Sequence, residues 1–132
     1  MSSFRLQIVT PEGGRFDGEA EALRVRTSEG YVSIRAGHAD YLAALDVGCV
    51  TVTSGGAVQQ AACSGGFLSV EKSAVRLVAT TFEYAQDIDL ARAEAAEASA
   101  RAMLEQAQDK EELAAARARL ACALNRQKIA AG

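Results

Sequence analysis

The chain has 132 residues, with 14 Lys plus Arg against 17 Asp plus Glu for a formal charge of −3, and is 49% apolar and 23% charged. That length holds one modest core or one domain with an appendage, the composition excludes disordered and fibrous classes, and the lack of a basic excess argues against nucleic acid as a partner. No apolar run approaches the roughly 20 residues that cross a bilayer. The opening Met1-Ser2-Ser3-Phe4-Arg5 lacks an export signal, and Cys49, Cys63 and Cys122, odd in number and far apart, suit neither a disulfide framework nor a zinc site. A reducing cytoplasmic setting is expected.

From the N-terminus, Phe4, Leu6 and Ile8 alternate with Arg5, Gln7 and Val9 before Thr10-Pro11-Glu12-Gly13-Gly14, so a strand followed by a turn is expected. Leu23, Val25 and Thr27 alternate with Arg24 and Arg26. Cys49 to Thr53 is rich in β-branched residues, and Ser54-Gly55-Gly56 joins it to Ala57-Val58-Gln59-Gln60. Phe67 to Val70 and Val75 to Val78 flank Glu71-Lys72-Ser73. Short strands at this spacing predict a sandwich or barrel of about 80 residues.

Ten of the 11 glycines and the single proline lie before residue 67, whereas residues 91–131 contain 16 alanines and neither glycine nor proline. The second part is therefore helical. Asp87 or Asp89 can cap a helix with Leu90, Ala93, Ala96, Ala100, Met103, Leu104 and Ala107 on one face, and Glu97 and Arg101 form an i,i+4 pair on it. Asp109 with Glu112 three residues later starts a second helix with an apolar stripe of Leu113, Ala116, Leu120, Ala123 and Leu124. The expectation is an α+β chain: a β-sandwich over residues 1–86 and an antiparallel hairpin of two helices over 87–132. Alanine contacts contribute little apolar area, so the hairpin should be marginally stable alone and able to change its docking partner.

Catalytic patterns are sparse. His38 is the one histidine, there is no G-x-S-x-G elbow and no G-x-x-x-x-G-K-[ST] loop, and Gly55-Gly56 and Gly65-Gly66 read as turns. Asp87 and Asp89 read as helix N-terminal charges rather than a catalytic pair. Lys72, the one lysine before the helices, lies in a predicted turn without the flanking residues of a modified carrier lysine. Composition and pattern alone stop at a soluble two-part protein that serves as an interaction module, and a free-standing β-sandwich interaction module is kept as an alternative reading.

Six fragments in order carry a resemblance: Phe4-x-Leu6-x-Ile8-Val9-Thr10-Pro11-Glu12, Phe16-x-Gly18-Glu19, Gly37-His38-Ala39, Ala44-Leu45, Ser64-Gly65-Gly66-Phe67-Leu68-x-Val70 and Ile88-Asp89-Leu90-Ala91-Arg92-Ala93. With these the sequence resembles, over nearly its whole length, the epsilon subunits of bacterial F-type ATP synthases. The resemblance implies a sandwich of ten strands plus a helical hairpin, in a non-catalytic subunit of the central stalk. It implies docking to the gamma subunit and the membrane c-ring, with membrane contact only through the complex, on the cytoplasmic face of the bacterial inner membrane. The hairpin is implied to extend toward the catalytic beta subunits and suppress ATP hydrolysis. The stretch His38-Ala39-Asp40-Tyr41-Leu42 is also similar to alternate ion-translocating F-type ATPases. Where the family commonly has a glycine and two prolines, the central loop has Ser33, Ala36 and Asp40, so it is expected to be less pre-set.

The same resemblance assigns site residues. It places His38 at the gamma interface and Tyr31 near the c-ring loops. It requires no cofactor, but Ile88, Asp89, Arg92 and Ala93 match a motif through which some family members bind regulatory ATP, with Glu83 upstream and Arg126 as a further cation. The family's second arginine is Cys122 here, and losing one charge-assisted contact costs about 1.5–3 kcal/mol, so a weak site or none is expected. Arg117, Arg119, Arg126 and Lys128 follow the acidic start of the second helix, an order that suits the helix dipole; in the extended state the resemblance sets them against acidic segments of the beta subunits.

Overall fold

A computed structural model of the chain describes residues 2–72 and 74–132. It falls into two compact units, one ending at Tyr84 and the other spanning Ala85–Gly132.

Among the described residues the first unit has ten strands: β1 (Phe4–Thr10), β2 (Gly13–Ala20), β3 (Ala22–Thr27), β4 (Gly30–Arg35), β5 (Tyr41–Leu45), β6 (Gly48–Ser54), β7 (Ala57–Cys63), β8 (Gly66–Glu71), β9 (Ala74–Ala79) and β10 (Phe82–Tyr84). They hydrogen-bond along the path β10-β7-β6-β3-β5-β8-β9-β1-β2, with β4 on the remaining side of β3. The path turns over at one residue pair, Thr27 opposite Leu45, which separates a β4-β3-β6-β7-β10 layer from a β5-β8-β9-β1-β2 layer. All pairings are antiparallel except β1 with β9.

Alternation explains the core. Phe4, Leu6 and Ile8 of β1, Leu23 and Val25 of β3, Val50 and Val52 of β6, Leu68 and Val70 of β8, and Val75 and Leu77 of β9 all point between the layers and are buried. Strands β2, β4, β5 and β10 go beyond the strands expected from residue patterns. Gly13 and Gly14 belong to β2, so the turn after β1 is shorter than expected. Turns are held by specific bonds. The buried Thr27 hydroxyl accepts the Glu29 N–H (3.1 Å) and donates to the Gly30 carbonyl (2.9 Å), while the Glu21 carboxylate accepts the Gly55 and Gly56 N–H groups at 3.1 and 3.2 Å.

Gly66 is required sterically. At φ +128° a Cβ there would lie 1.9 Å from the Val78 carbonyl oxygen, because β8 and β9 approach backbone to backbone at that point.

The second unit starts with a 3₁₀ turn, Ala85–Asp87, followed by α1 (Leu90–Gln106) and α2 (Lys110–Ala130). Asp89 caps α1, accepting the Arg92 N–H at 3.1 Å; Asp109 caps α2, accepting the Glu112 N–H at 2.8 Å. Glu112 reaches back to the Gln108 N–H, one residue beyond the usual capping-box partner. Ala93 and Ala100 of α1 and Ala116, Ala123 and Ile129 of α2 are buried. Leu90 and Leu124, expected on the apolar faces, are 43% and 41% exposed, so the buried positions of the two helices are mainly alanines.

Candidate functional site

The outer face of the β5-β8-β9-β1 sheet carries an apolar row that crosses four strands. Val9 of β1 lies beside Val78 of β9, Val78 opposite Phe67 of β8, and Phe67 opposite Ala44 of β5. Phe67 is 47% exposed and Leu42, one row away beside Ser69, is 72% exposed. Pro11 and Thr10 close one end of the row, forming with Val9, Phe67 and Val78 an open groove of about 430 Å³. Beyond it the same face turns polar, with Gln7, Ser69 and Arg76 and then the Arg5–Asp17 ion pair. An apolar centre with a polar rim is the usual build of a protein-binding surface. Residue patterns set Val9, Phe67 and Val78 on strands without marking them as a docking surface; the signal available is an aromatic at an outward position of a strand.

Tyr31 and His38 lie at opposite ends of β4. Tyr31 is exposed on the outer face of its layer, with the Arg24 guanidinium 4.0 Å from its ring centroid and its hydroxyl accepting the Cys49 N–H at 3.4 Å. His38 sits in the turn after β4, its N–H bonded to the Arg35 carbonyl, its ring Nδ1 2.7 Å from the Ala39 carbonyl and its ring edge-on to Tyr41. Where the family commonly has proline, Asp40 holds the loop by a different device. Its carboxylate accepts the Lys72 N–H at 3.1 Å, tying the loop to the β8–β9 turn, where Lys72 itself has φ +47°. Ser33 lies inside β4 with ordinary strand backbone, so the loss of glycine is tolerated there.

The ATP-motif residues are distributed over both units. Glu83 is in β10; Ile88, Asp89, Arg92, Ala93 and Arg126 are in the helical unit. One oxygen of Asp89 is engaged as the α1 cap, and Ala93 is buried with its carbonyl 3.4 Å from the Gln127 amide nitrogen that donates to it. Arg126 lines an open groove of about 310 Å³ between the helices with Ser99, Arg119 and Cys122; Arg92 is not among its lining residues. Burial pushes the Cys122 thiol up, and the nearby Arg126 charge opposes that shift. The four cations Arg117, Arg119, Arg126 and Lys128 of α2 do not form a single patch. Arg119 and Arg126, two turns apart, share the groove, while Arg117 and Lys128 are exposed outside it. Glu97 joins the helices: its carboxylate accepts from Gln127 of α2 (2.8 Å) and Arg101 (2.7 Å), and these two bonds hold its pKa below the usual carboxylate range.

Among the described residues, no group of three His, Cys, Asp or Glu side chains is placed to hold a metal, and no helix is long and apolar enough to cross a membrane. The three cysteines are free thiols.

Residues 3–85 match the family described as ATP synthase, Delta/Epsilon chain, beta-sandwich domain. The chain is similar to the ATP synthase epsilon chain of Ruminococcus albus, 37% identical over 98% of both chains, and to that of Bacillus velezensis, 35% identical over 98% of both. In fold it is similar to a chain of the Euglena gracilis mitochondrial ATP synthase, OSCP/F1/c-ring, with a TM-score of 0.83 at 23% identity, covering 97% of this chain and 81% of that one. A chain of the central stalk and c-ring of the Tetrahymena thermophila mitochondrial ATP synthase aligns with a TM-score of 0.65 at 15% identity, covering 96% and 95%.

Proposed function

The chain belongs to the ATP synthase delta/epsilon family, and from that membership we propose that it is a non-catalytic subunit of the central stalk, coupling the catalytic head to the membrane c-ring. The observation that carries the docking role is the outward row Val9, Val78, Phe67 and Ala44, an apolar surface built from four strands. The gamma subunit occupies this face. The loop around His38 lies at one end of β4, and the Thr27–Gly30 turn near Tyr31 lies at the other, so one end can meet gamma while the other meets the c-ring loops.

Such a subunit must transmit torque without deforming. A sandwich whose inner residues Leu6, Ile8, Leu23, Ile34, Leu68 and Leu77 are fully buried suits that task, since close-packed interiors have low compressibility. The helical unit has the opposite character. Its contacts are mainly between alanines, so separating the helices exposes little apolar area and an extended state is accessible at modest cost. In that state Arg117, Arg119, Arg126 and Lys128 restrain hydrolysis by pairing with acidic segments of the beta subunits. The complex places the subunit at the cytoplasmic face of the bacterial inner membrane, without membrane insertion of its own.

Complementation of a strain lacking the subunit tests this. The full chain should restore ATP synthesis coupled to the ion gradient, and a chain truncated after Tyr84 should restore assembly but raise ATP hydrolysis. Failure of the full chain to restore coupling, or its recovery from its own cells without a stalk partner, would overturn the reading.

A further inference from the structure

The outer face of the other sheet has a different chemistry. Arg24 and Arg26 of β3 and Arg35 of β4 are exposed on it, and among the described residues none of the three pairs with a carboxylate. In a chain of formal charge −3 this corner is locally cationic. The arginines are also positioned. Arg24 stacks on the Tyr31 ring, which leaves its N–H fork available, and Arg26 donates to the Val47 carbonyl at 3.4 Å.

The same corner presents a strand edge. Among the described residues β4 pairs only with β3. The Arg26 carbonyl accepts the Asp46 N–H at 3.0 Å, so Arg26 turns its backbone groups away from β4. By antiparallel alternation its opposite residue, Tyr31, and the next in step, Ser33 and Arg35, turn their backbone groups away from β3 and off the sheet. The Arg35 carbonyl is taken by the His38 N–H. The N–H and C=O of Tyr31 and Ser33 and the N–H of Arg35 remain as a short ladder, and all three residues are exposed.

From this juxtaposition we infer that the β4 edge accepts an extended, carboxylate-bearing segment of another polypeptide, which adds as a further strand while its acidic side chains reach Arg24 and Arg35. Backbone ladder bonds supply affinity and the arginines select the charge of the added strand. A second copy of this chain is an unsuitable occupant, because antiparallel pairing of β4 with β4 about Ser33 sets each Arg35 against Tyr31 and the Arg24 stacked on it, crowding like charges. This inference uses the layer opposite the apolar face assigned to gamma; at Tyr31 it adjoins the end of β4 that the proposed function turns to the c-ring loops, and its test, on the free chain and a peptide, is read separately from that assignment.

The test uses the full chain and a short blocked peptide of alternating valine and glutamate, with an alternating valine and lysine peptide and phosphatidylglycerol vesicles as comparators. The glutamate peptide should bind, weaken as salt is raised, and slow amide exchange at Tyr31, Ser33 and Arg35, while the lysine peptide should not bind. An Arg24→Gln, Arg35→Gln double variant should lose about tenfold or more in affinity, as expected for charge-assisted bonds. Ser33→Pro removes an N–H that β3 does not use, so it should keep the fold and abolish peptide binding. Equal binding of the two peptides, or binding to vesicles without binding to the glutamate peptide, would overturn the inference. So would unchanged exchange at the three amides, which reads the wild-type chain and stays decisive even if Ser33→Pro does not fold.

Discussion

Phe67→Ala isolates the docking role of the apolar row. A phenylalanine side chain buries about 150–250 Å² when fully covered, and Phe67 is 47% exposed. A partner seated on it therefore removes on the order of 70–120 Å² from water, which at about 25 cal/mol per Å² is worth about 2–3 kcal/mol. Truncation should weaken docking by about 2 kcal/mol, roughly 30-fold in Kd. The same change costs the sandwich itself only about 1 kcal/mol or less, because an outward side chain gives up cross-strand contacts with Val78 and Ala44 rather than a core site. Interferometry on an immobilised catalytic head containing gamma but lacking this subunit measures the first quantity, and urea denaturation of the same preparations measures the second. Val58→Ala is the matched control: Val58 is 63% exposed on β7, in the opposite layer. Equal docking by wild type, Phe67→Ala and Val58→Ala would refute the assignment of this face.

Other perturbations follow from particular contacts. Gly66→Ala places a Cβ 1.9 Å from the Val78 oxygen at φ +128°, and backbone strain plus overpacking should destabilise the sandwich by about 2–6 kcal/mol. Gly56→Ala, at φ +80° with open space around it, should show only the strain, about 1–3 kcal/mol, in the same urea titration. Because its folded-state pKa is depressed, Glu97 contributes stability that is present above its unfolded pKa and lost as pH falls through the folded value. Helix content followed by circular dichroism should therefore decline as pH drops below the ordinary carboxylate range, and Glu97→Gln should flatten that decline. Cys122→Arg adds a third cation to the groove holding Arg119 and Arg126; calorimetry should show ATP binding at least about tenfold tighter than wild type if this groove receives phosphate, and no change if it does not.

Much of this chain was legible residue by residue. The alternation in β1, β3, β6, β8 and β9 identifies which side chains face the core, because a strand's side-chain period of two is a local property. The confinement of Pro11 and nearly all glycines to the first part, and the caps at Asp89 and Asp109, separate sheet from helix on equally local grounds. Strands β2, β4, β5 and β10 were not legible from pattern. β2 carries three glycines and lies at a sheet edge, β10 is three residues long, and β4 and β5 are partly exposed, so each owes its extended backbone to a neighbouring strand rather than to its own apolar period.

The docking surfaces belong wholly to tertiary structure. Val9 and Val78 meet only through the parallel pairing of β1 with β9, and Phe67 and Ala44 only through the pairing of β8 with β5. Arg24 stacks on Tyr31 because β3 and β4 form a hairpin, and Arg119 shares a groove with Ser99 because α2 folds back on α1. Each residue's inward or outward direction is set locally, but its neighbours on a face depend on strand order and register, which are fixed only when distant segments pair.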